Sequence, residues 1–368
     1  MRIALVTEYY YPHLGGVTEH VHNLALQFCR LGHEPIVLTS HMKGQGRDMP
    51  YVRRVGRSQL IFANGSFGRI TLGWKLGRRV ENFLREEAVD IVHVHSALAP
   101  TLSVLAQRAA HRLGIPVVAT CHSWWPWSVM ARVLRRQLQS QMDALAARIA
   151  VSEPVVQANA RYFRSTWEVI PNGVDTAYFQ PNGRVTSDAL TSGPRLLFLG
   201  RLDPRNGLPT VLEAMPEILR HYPRTLLLVA GDGPLLPRYR RKARGLEGNV
   251  RFVGRVLEER SFFYGSCDMY LCPTTRASFG ITLLEAMACG VPMVVSDITG
   301  FRELVAGGEE AVRVPPDRPG AWAQAVVDLI GDPTRREAMR QAGLRKAAEF
   351  SWPRIAARII ETYERVLN

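Results

Sequence analysis

The 368-residue chain is poor in cysteine and has no Cys-x-x-Cys pair. Its five cysteines, Cys29, Cys121, Cys267, Cys272 and Cys289, are odd in number and lie mostly in apolar segments, which argues against a disulfide frame or a thiolate metal cage. No apolar run approaches the ~20 residues needed to cross a bilayer, and Ile3 to Val6 is far too short for a signal-peptide core. The expectation is a cytoplasmic protein whose membrane contact, if any, is peripheral. Zinc spacing, helix-turn-helix cues and an aromatic RNA-binding signature are also missing, so no nucleic-acid partner is expected. Neither a metal nor a cofactor is called for, and no residue stands out as a covalent nucleophile.

Acidic residues are in deficit. Lys and Arg number 46 against 33 Asp and Glu, a net charge of +13. Residues 1–172 carry 20 Lys and Arg against 11 Asp and Glu, so +9 of that excess sits in the first half, where the charge by itself suggests an anionic partner: nucleic acid, anionic lipid or a phosphorylated acceptor. The length exceeds the roughly 250 to 300 residues at which one core usually divides.

Two domains are legible in the order of elements. The run Ile3 to Val6 reads as a strand, Gly15-Gly16 as a loop, and residues 18–31 as a helix ended by Gly32, the opening of a phosphate-binding α/β unit. Short apolar runs at 35–39, 91–95, 117–120 and 148–151 alternate with helical stretches and predict a doubly wound parallel sheet. After a Pro-, Gly-, Ser- and Thr-rich stretch at 180–194 the same order restarts, with strands at 195–199 and 225–230 around a helix at 208–222. The fold class is therefore α/β, two Rossmann-like domains facing each other across a cleft. Expected boundaries are 1–172, 173–350, and a C-terminal helix over 351–368 that packs on the second domain or crosses back to the first.

Candidate site residues fall at the carboxyl ends of strands, where open α/β sheets hold ligands. Gly15 and Gly16 would let backbone N–H groups approach a phosphate at a helix N-terminus, and would equally serve a plain strand-to-helix turn. His122 follows the strand at 117–120. Arg201, after Gly200, and Arg205 place two guanidinium groups where a diphosphate could be gripped. Glu285 lies in the apolar run 277–292 and needs a partner, which ribose hydroxyls would supply.

The chain resembles the retaining glycosyltransferase family 4, of GT-B architecture, over nearly its whole length. The likeness rests on Tyr11-Pro-His-Leu-Gly-Gly-Val17, His122, Ile170-Pro-Asn-Gly-Val-Asp175, Gly200-Arg201, Gly231-Asp-Gly-Pro234, Ser278-Phe-Gly-Ile-Thr-Leu-Leu-Glu-Ala286 and Gly290-Val-Pro292. Through Gly15-Gly-Val-Thr-Glu-His20 and Asn64-Gly-Ser66 it is most similar to the bacterial phosphatidylinositol mannosyltransferases. The resemblance implies a nucleotide diphosphate sugar, GDP-mannose or a UDP-sugar, as donor. Its diphosphate would meet Gly16, Arg201 and Arg205, its ribose Glu285, and its sugar His122. The backbone of Ser278, Phe279, Gly280 and Ile281 would face the donor, and that of Val256 the base. Retention would follow the front-face route, in which the departing diphosphate helps take the acceptor proton, so catalysis is positioning and charge stabilisation.

Two positions depart from the family pattern. Asn206 stands where a donor-phosphate Lys is usual, a loss on the order of 3 kcal/mol by analogy with removal of an oxyanion donor. Ala277, preceded by Arg276, replaces the usual sugar-contacting Glu. Three accounts compete: Arg205 and Arg276 compensate; the site suits an acidic sugar that Arg276 pairs with; or the protein is a degenerate transferase that binds a nucleotide or partner without turnover.

On the acceptor side, residues 71–87 carry Leu72, Leu76, Val80, Phe83 and Leu84 at helical spacing, with Lys75, Arg78, Arg79 and Arg85 between them, the pattern of a basic helix lying on anionic lipid or of an ordinary surface helix. Trp124 and Trp125 suit a lipid interface or an acceptor pocket. The resemblance assigns Tyr9, Thr18 and Asn64 to an inositol-containing or lipid-linked acceptor. The expected reading is a retaining transferase acting at the inner face of the cell membrane; a sugar-nucleotide epimerase, needing carboxylates placed for proton transfer at the sugar ring, is a further alternative.

Overall fold

The computed structural model describes residues 1–368 except 14, 45, 64–65, 97–100, 123–132, 182–192 and 257–258. Its chain forms two compact units, Met1–Asn172 with Trp352–Asn368, and Gly173–Ser351.

In the first unit, strands β1 (Arg2–Val6), β2 (Glu34–His41), β3 (Val52–Ala63), β4 (Ser66–Leu72), β5 (Ile91–His95), β6 (Val117–Cys121), β7 (Ala147–Ala150) and β8 (Glu168–Val169) form one sheet in the order β4-β3-β2-β1-β5-β6-β7-β8. Every pairing is parallel except β3 with β4, an antiparallel hairpin at the edge. The near-continuous apolar β1 and β5 have both faces covered, as a parallel sheet requires. On one face Val6, Val92 and Val94 pack with Val80, Leu84, Ala106 and Ala110 of the helices Leu76–Glu86 and Leu102–Leu113. On the other, Ile3, Leu5 and Ile91 pack against helix Gly16–Arg30, whose Val21, Leu24, Ala25 and Phe28 recur at helical spacing.

The C-terminal helix Trp352–Leu367 shares that second face. Its Ile355, Ile359 and Tyr363 are essentially buried, each contributing about 1.5–3 kcal/mol. Tyr363 also bonds His93 of β5, so the final turns of the chain complete the core of the unit that begins it.

The second unit holds β9 (Arg195–Leu199), β10 (Leu226–Ala230), β11 (Val250–Gly254), β12 (Met269–Cys272), β13 (Met293–Ser296) and β14 (Val312–Val314), all parallel, in the order β11-β10-β9-β12-β13-β14. Strand order reverses between β9 and β12, and in the first unit between β1 and β5. At such switch points the loops leaving adjacent strands diverge and open a crevice. Two glycines let the loops leaving these strands approach closely: a Cβ on Gly231 would lie 1.9 Å from the Gly200 carbonyl oxygen, and one on Gly207 1.9 Å from that of Pro273.

The sequence expectation of parallel Rossmann-like sheets agrees with this structure, with three local corrections. Helix Gly16–Arg30 starts two residues earlier than its apolar pattern suggests. The β3–β4 hairpin has no counterpart in the strands expected from sequence. Leu72 ends β4 and is half exposed, so the basic helix begins only at Leu76. Most of the 180–194 stretch lies outside the described residues.

Candidate functional site

At the first unit's switch point, Thr7 and Glu8 follow β1, His93 and His95 end β5, and His122 follows β6. Glu8 is 1% exposed. Its carboxylate accepts from the Thr101 and Leu102 backbone N–H groups at the start of helix Leu102–Leu113, and from the Thr71 hydroxyl. Burial raises its pKa while these donors pull the other way. It thus ties β4 and a helix N-terminus to the end of β1.

Four imidazoles gather at the same end of the sheet. His93 and His95, two apart on a strand, share one face. His93 bonds Thr120 Oγ1 at 2.7 Å through Nε2. His95 Nδ1 lies 3.1 Å from His122 Nε2, and the two rings stack at 5.4 Å. His20 enters from helix Gly16–Arg30, its ring edge-on to those of His122 (4.7 Å), His95 (5.3 Å) and Trp352 (5.3 Å). Its Nδ1–H donates to Asn172 Oδ1 at 2.8 Å, which directs Nε2 into the cluster; the Nε2 atoms of His20 and His95 are buried without a hydrogen-bond partner. Desolvation lowers all four pKa values, to about 4 for His20 and about 3 for His93, so the rings are neutral at physiological pH.

Other expected residues of this unit are placed less uniformly. Gly15 and Gly16 are exposed and open helix Gly16–Arg30 with no side-chain cap. Tyr9 is partly buried, its hydroxyl accepting from the Arg69 N–H at 3.2 Å on β4. Thr18 is 0% exposed and its hydroxyl has no partner, so here it faces the core and not an open acceptor surface. Asn64, Trp124 and Trp125 lie outside the described residues. Lys75, Arg78 and Arg79 are exposed, beside Trp74, which at 83% exposure is the most exposed large apolar side chain described. Arg85 instead pairs with Glu81 along its own helix.

The second unit's switch point is cationic. Arg201 follows β9, and Asp203 caps the short turn Pro204–Asn206 by accepting from the Asn206 N–H. The Asn206 amide turns inward and donates to the Arg201 carbonyl at 2.8 Å. It therefore braces the loop and leaves no charge there. The Thr275 N–H donates to the Arg205 carbonyl at 2.8 Å, which binds the loop after β12 to the loop after β9. Arg201, Arg205 and Arg276 are all exposed along this joined rim.

Beside the rim, Ala277 and Ser278 are partly buried and Phe279 is fully packed, its ring 6.0 Å from Phe350, so Phe279 could offer a ligand only backbone. Gly280, at φ 114°, turns the chain into helix Ile281–Ala288, which has no side-chain cap. Val256 is partly buried just after β11. Glu285 is 2% exposed, and a partner is supplied from the protein itself: Arg260 Nη1 donates to Oε1 at 2.7 Å and the Tyr264 hydroxyl to Oε2 at 3.1 Å. The expectation that a buried Glu285 needs ribose for partnership is corrected on that point, although a carboxylate with about four acceptor sites can bind both and still receive a hydroxyl.

Sequence reasoning missed Glu8, His20, His95, Arg260 and Tyr264. A charged residue directly after a buried strand and the alternation Ile91-Val-His-Val-His95 were signals for the first and third; the rest are joined only by folding.

Two doubly wound units, each with polar groups gathered at a strand-order reversal, are the parts from which a GT-B glycosyltransferase is built. A sequence profile described as Glycosyltransferase Family 4 matches residues 14–178, and one described as Glycosyl transferases group 1 matches residues 193–332. The chain belongs to glycosyltransferase family 4. It is 33% identical to phosphatidyl-myo-inositol mannosyltransferase of Mycolicibacterium smegmatis, covering 100% of this chain and 94% of the relative. It is 27% identical to D-inositol 3-phosphate glycosyltransferase of Streptosporangium roseum, covering 95% of this chain and 88% of the relative. Among solved structures, Anabaena HepE in complex with UDP superposes with a TM-score of 0.81 at 19% identity, covering 99% of this chain and 100% of that one, which bears on fold alone.

Proposed function

We propose that this glycosyltransferase moves a sugar, with retention, from a nucleotide diphosphate sugar to an inositol-containing lipid at the inner face of the membrane. The observation that carries the donor half is the joined rim of Arg201, Arg205 and Arg276, three exposed cations at a Rossmann switch point. Guanidinium groups grip phosphate oxygens bidentately and hold the charge that develops as a diphosphate leaves. The Ser278–Ile281 backbone and the uncapped helix behind Gly280 add N–H donors of the same sign. Glu285, held by Arg260 and Tyr264, accepts from the ribose, and the Val256 backbone meets the base.

The first unit supplies neutral polar groups. His122 faces the transferred sugar as a hydrogen-bonding imidazole, and Gly15 and Gly16 present backbone to the donor. With no nucleophile assigned, the diphosphate oxygen takes the acceptor proton as the new bond forms. GDP-mannose is the first donor to try, because the full-length relative at 33% identity is a mannosyltransferase. Both relatives are named for an inositol-containing acceptor, and the more similar of the two for its phosphatidyl lipid, which supports the acceptor class. Lys75, Arg78 and Arg79, flanking the exposed Trp74 and Leu72, support docking on anionic lipid through charge and an interfacial ring. Among the described residues no helix is long and apolar enough to cross a membrane.

The test is nucleotide diphosphate release by purified protein over neutral, acidic and N-acetylated nucleotide sugars, with and without phosphatidylinositol vesicles. The proposal requires vesicle-dependent release from one donor, with sugar recovered on the lipid. Release only from uronosyl donors would move the donor choice to the acidic class through Arg276. Nucleotide binding with no release anywhere would restore the non-catalytic reading.

A further inference from the structure

The imidazole cluster of the first unit has an arrangement that hydrogen bonding to a sugar does not use. His20, His95 and His122 each offer one ring nitrogen, and the three nitrogens lie within 4.8 Å of one another. They come from three elements, helix Gly16–Arg30, the end of β5 and the residue after β6, and converge at the switch point.

We propose that His20, His95 and His122 form a binding site for a borderline transition-metal cation of the Zn2+ class, and that its occupancy blocks the transferase.

Four features support the site. The donor set is all imidazole, which suits Zn2+, Co2+, Ni2+ and Cu2+ and not Mg2+ or Ca2+. A tetrahedral ion with Zn–N distances of about 2.0–2.1 Å sets its ligand nitrogens about 3.3 Å apart. The His95 Nδ1 to His122 Nε2 separation, 3.1 Å, is already close to that value, and His20 must close by no more than about 1.5 Å. His20 is pre-oriented by its Nδ1–H bond to Asn172, the outer-shell device that fixes a metal-binding tautomer. Finally, the His20 Nε2 is buried with no partner, so its lone pair is unsatisfied without a ligand. One of His95 Nδ1 and His122 Nε2 carries the proton of their mutual hydrogen bond, so binding requires that proton to move to the other nitrogen of the same ring. His122, the most accessible of the three, provides the entry side and leaves a fourth position for water.

The inhibitory half rests on the assignment of His122 to the donor sugar; the binding half does not. An ion on His122 Nε2 fixes that ring and sets a dipositive charge beside the place this assignment gives to the sugar, so metal occupancy opposes donor binding.

The test uses tag-free full-length protein. Zn2+ titration calorimetry should give one site per chain, and Co2+ should give the visible bands of a low-coordinate nitrogen site, while Mg2+ at the same concentration competes with neither. His122→Gln and His20→Gln should each weaken Zn2+ by more than about 100-fold, and Asn172→Ala, which keeps all three ligands, by about 10- to 100-fold. A Zn2+-induced rise in melting temperature, present in wild type and lost in His122→Gln, reads the same site in any variant that folds. Absence of stoichiometric binding, or binding unchanged in all three variants, overturns the site. Zn2+ inhibition that is competitive with donor and relieved by chelation supports the second half; stoichiometric binding with undiminished transfer overturns that half alone. Protein that binds Zn2+ but transfers no sugar under metal-free conditions counts against the transferase reading and leaves the site standing.

Discussion

The two units use one scaffold and opposite electrostatics. Both place their polar groups where strand order reverses, between β1 and β5 in one and between β9 and β12 in the other. In the first, Glu8 and the neutral imidazoles of His20, His93 and His95 are buried, with His122 partly so. In the second, Arg201, Arg205 and Arg276 stand in water on a rim joined through Thr275, and Glu285, the one buried carboxylate among the described residues of this unit, is neutralised by Arg260. Topology fixes where a site lies; loop residues decide its chemistry. A charged leaving group belongs beside the exposed cations.

The comparison breaks most readily at Glu285. Replacing it with Ala removes the carboxylate that pairs with the largely buried Arg260 and accepts from Tyr264, and should destabilise the protein by about 3–5 kcal/mol in urea unfolding. A loss below about 1 kcal/mol would show that the pair is effectively solvated. Next in size is Arg201→Ala, expected to lower kcat by about 10²- to 10³-fold as for loss of an oxyanion donor. Because Arg201 is exposed, its stability should stay within about 0.5 kcal/mol of wild type, a split that rate and denaturation measurements read together.

Acid should distinguish the units. A histidine held neutral binds its proton more weakly when folded, so the unfolded chain takes up more protons between pH 6.5 and 4. Stability present above pH 6.5 is therefore lost as pH falls towards 4, by about 3 kcal/mol for His20 alone. Urea midpoints measured from about pH 7.5 to about pH 4.5 should decline, and the slope should shrink in His20→Gln. The smallest effect concerns Asn206. Removing its bond to the Arg201 carbonyl with Asn206→Ala should cost about 1 kcal/mol, while Asn206→Lys should lose the brace and raise the donor's affinity. Unchanged affinity would mean that Arg205 and Arg276 already supply all the charge the phosphates use.

Much of the architecture is legible in sequence because it is carried by local signals. Ile3 to Val6, Gly15-Gly16 and the apolar helix after it follow one another within 30 residues, and the second unit repeats that order from Arg195. The β3–β4 hairpin is not legible, since Val52–Ala63 interleaves Arg53, Arg54, Arg57, Ser58 and Gln59 with its apolar residues in the strand next to the β4 edge. Leu72 falls in phase with the helix that follows and so mimics its first turn. In the site, Arg201 and Arg205 are visible because a strand end points to them. His20, His95 and His122 are not visible as a set, because only the parallel pairing of β1, β5 and β6 brings their elements together. The Arg260–Glu285 pair is hidden for the same reason, spanning two helices.

The central claim is that the nucleotide's phosphates bind the exposed cations of the second unit and not the imidazoles of the first. The most direct measurement is calorimetric binding of free GDP and UDP, which carry the phosphates and no sugar, to Arg201→Ala and to His122→Gln. The account predicts that nucleotide binding weakens strongly in Arg201→Ala and is unchanged in His122→Gln. Equal loss in both, or loss in His122→Gln alone, would contradict it.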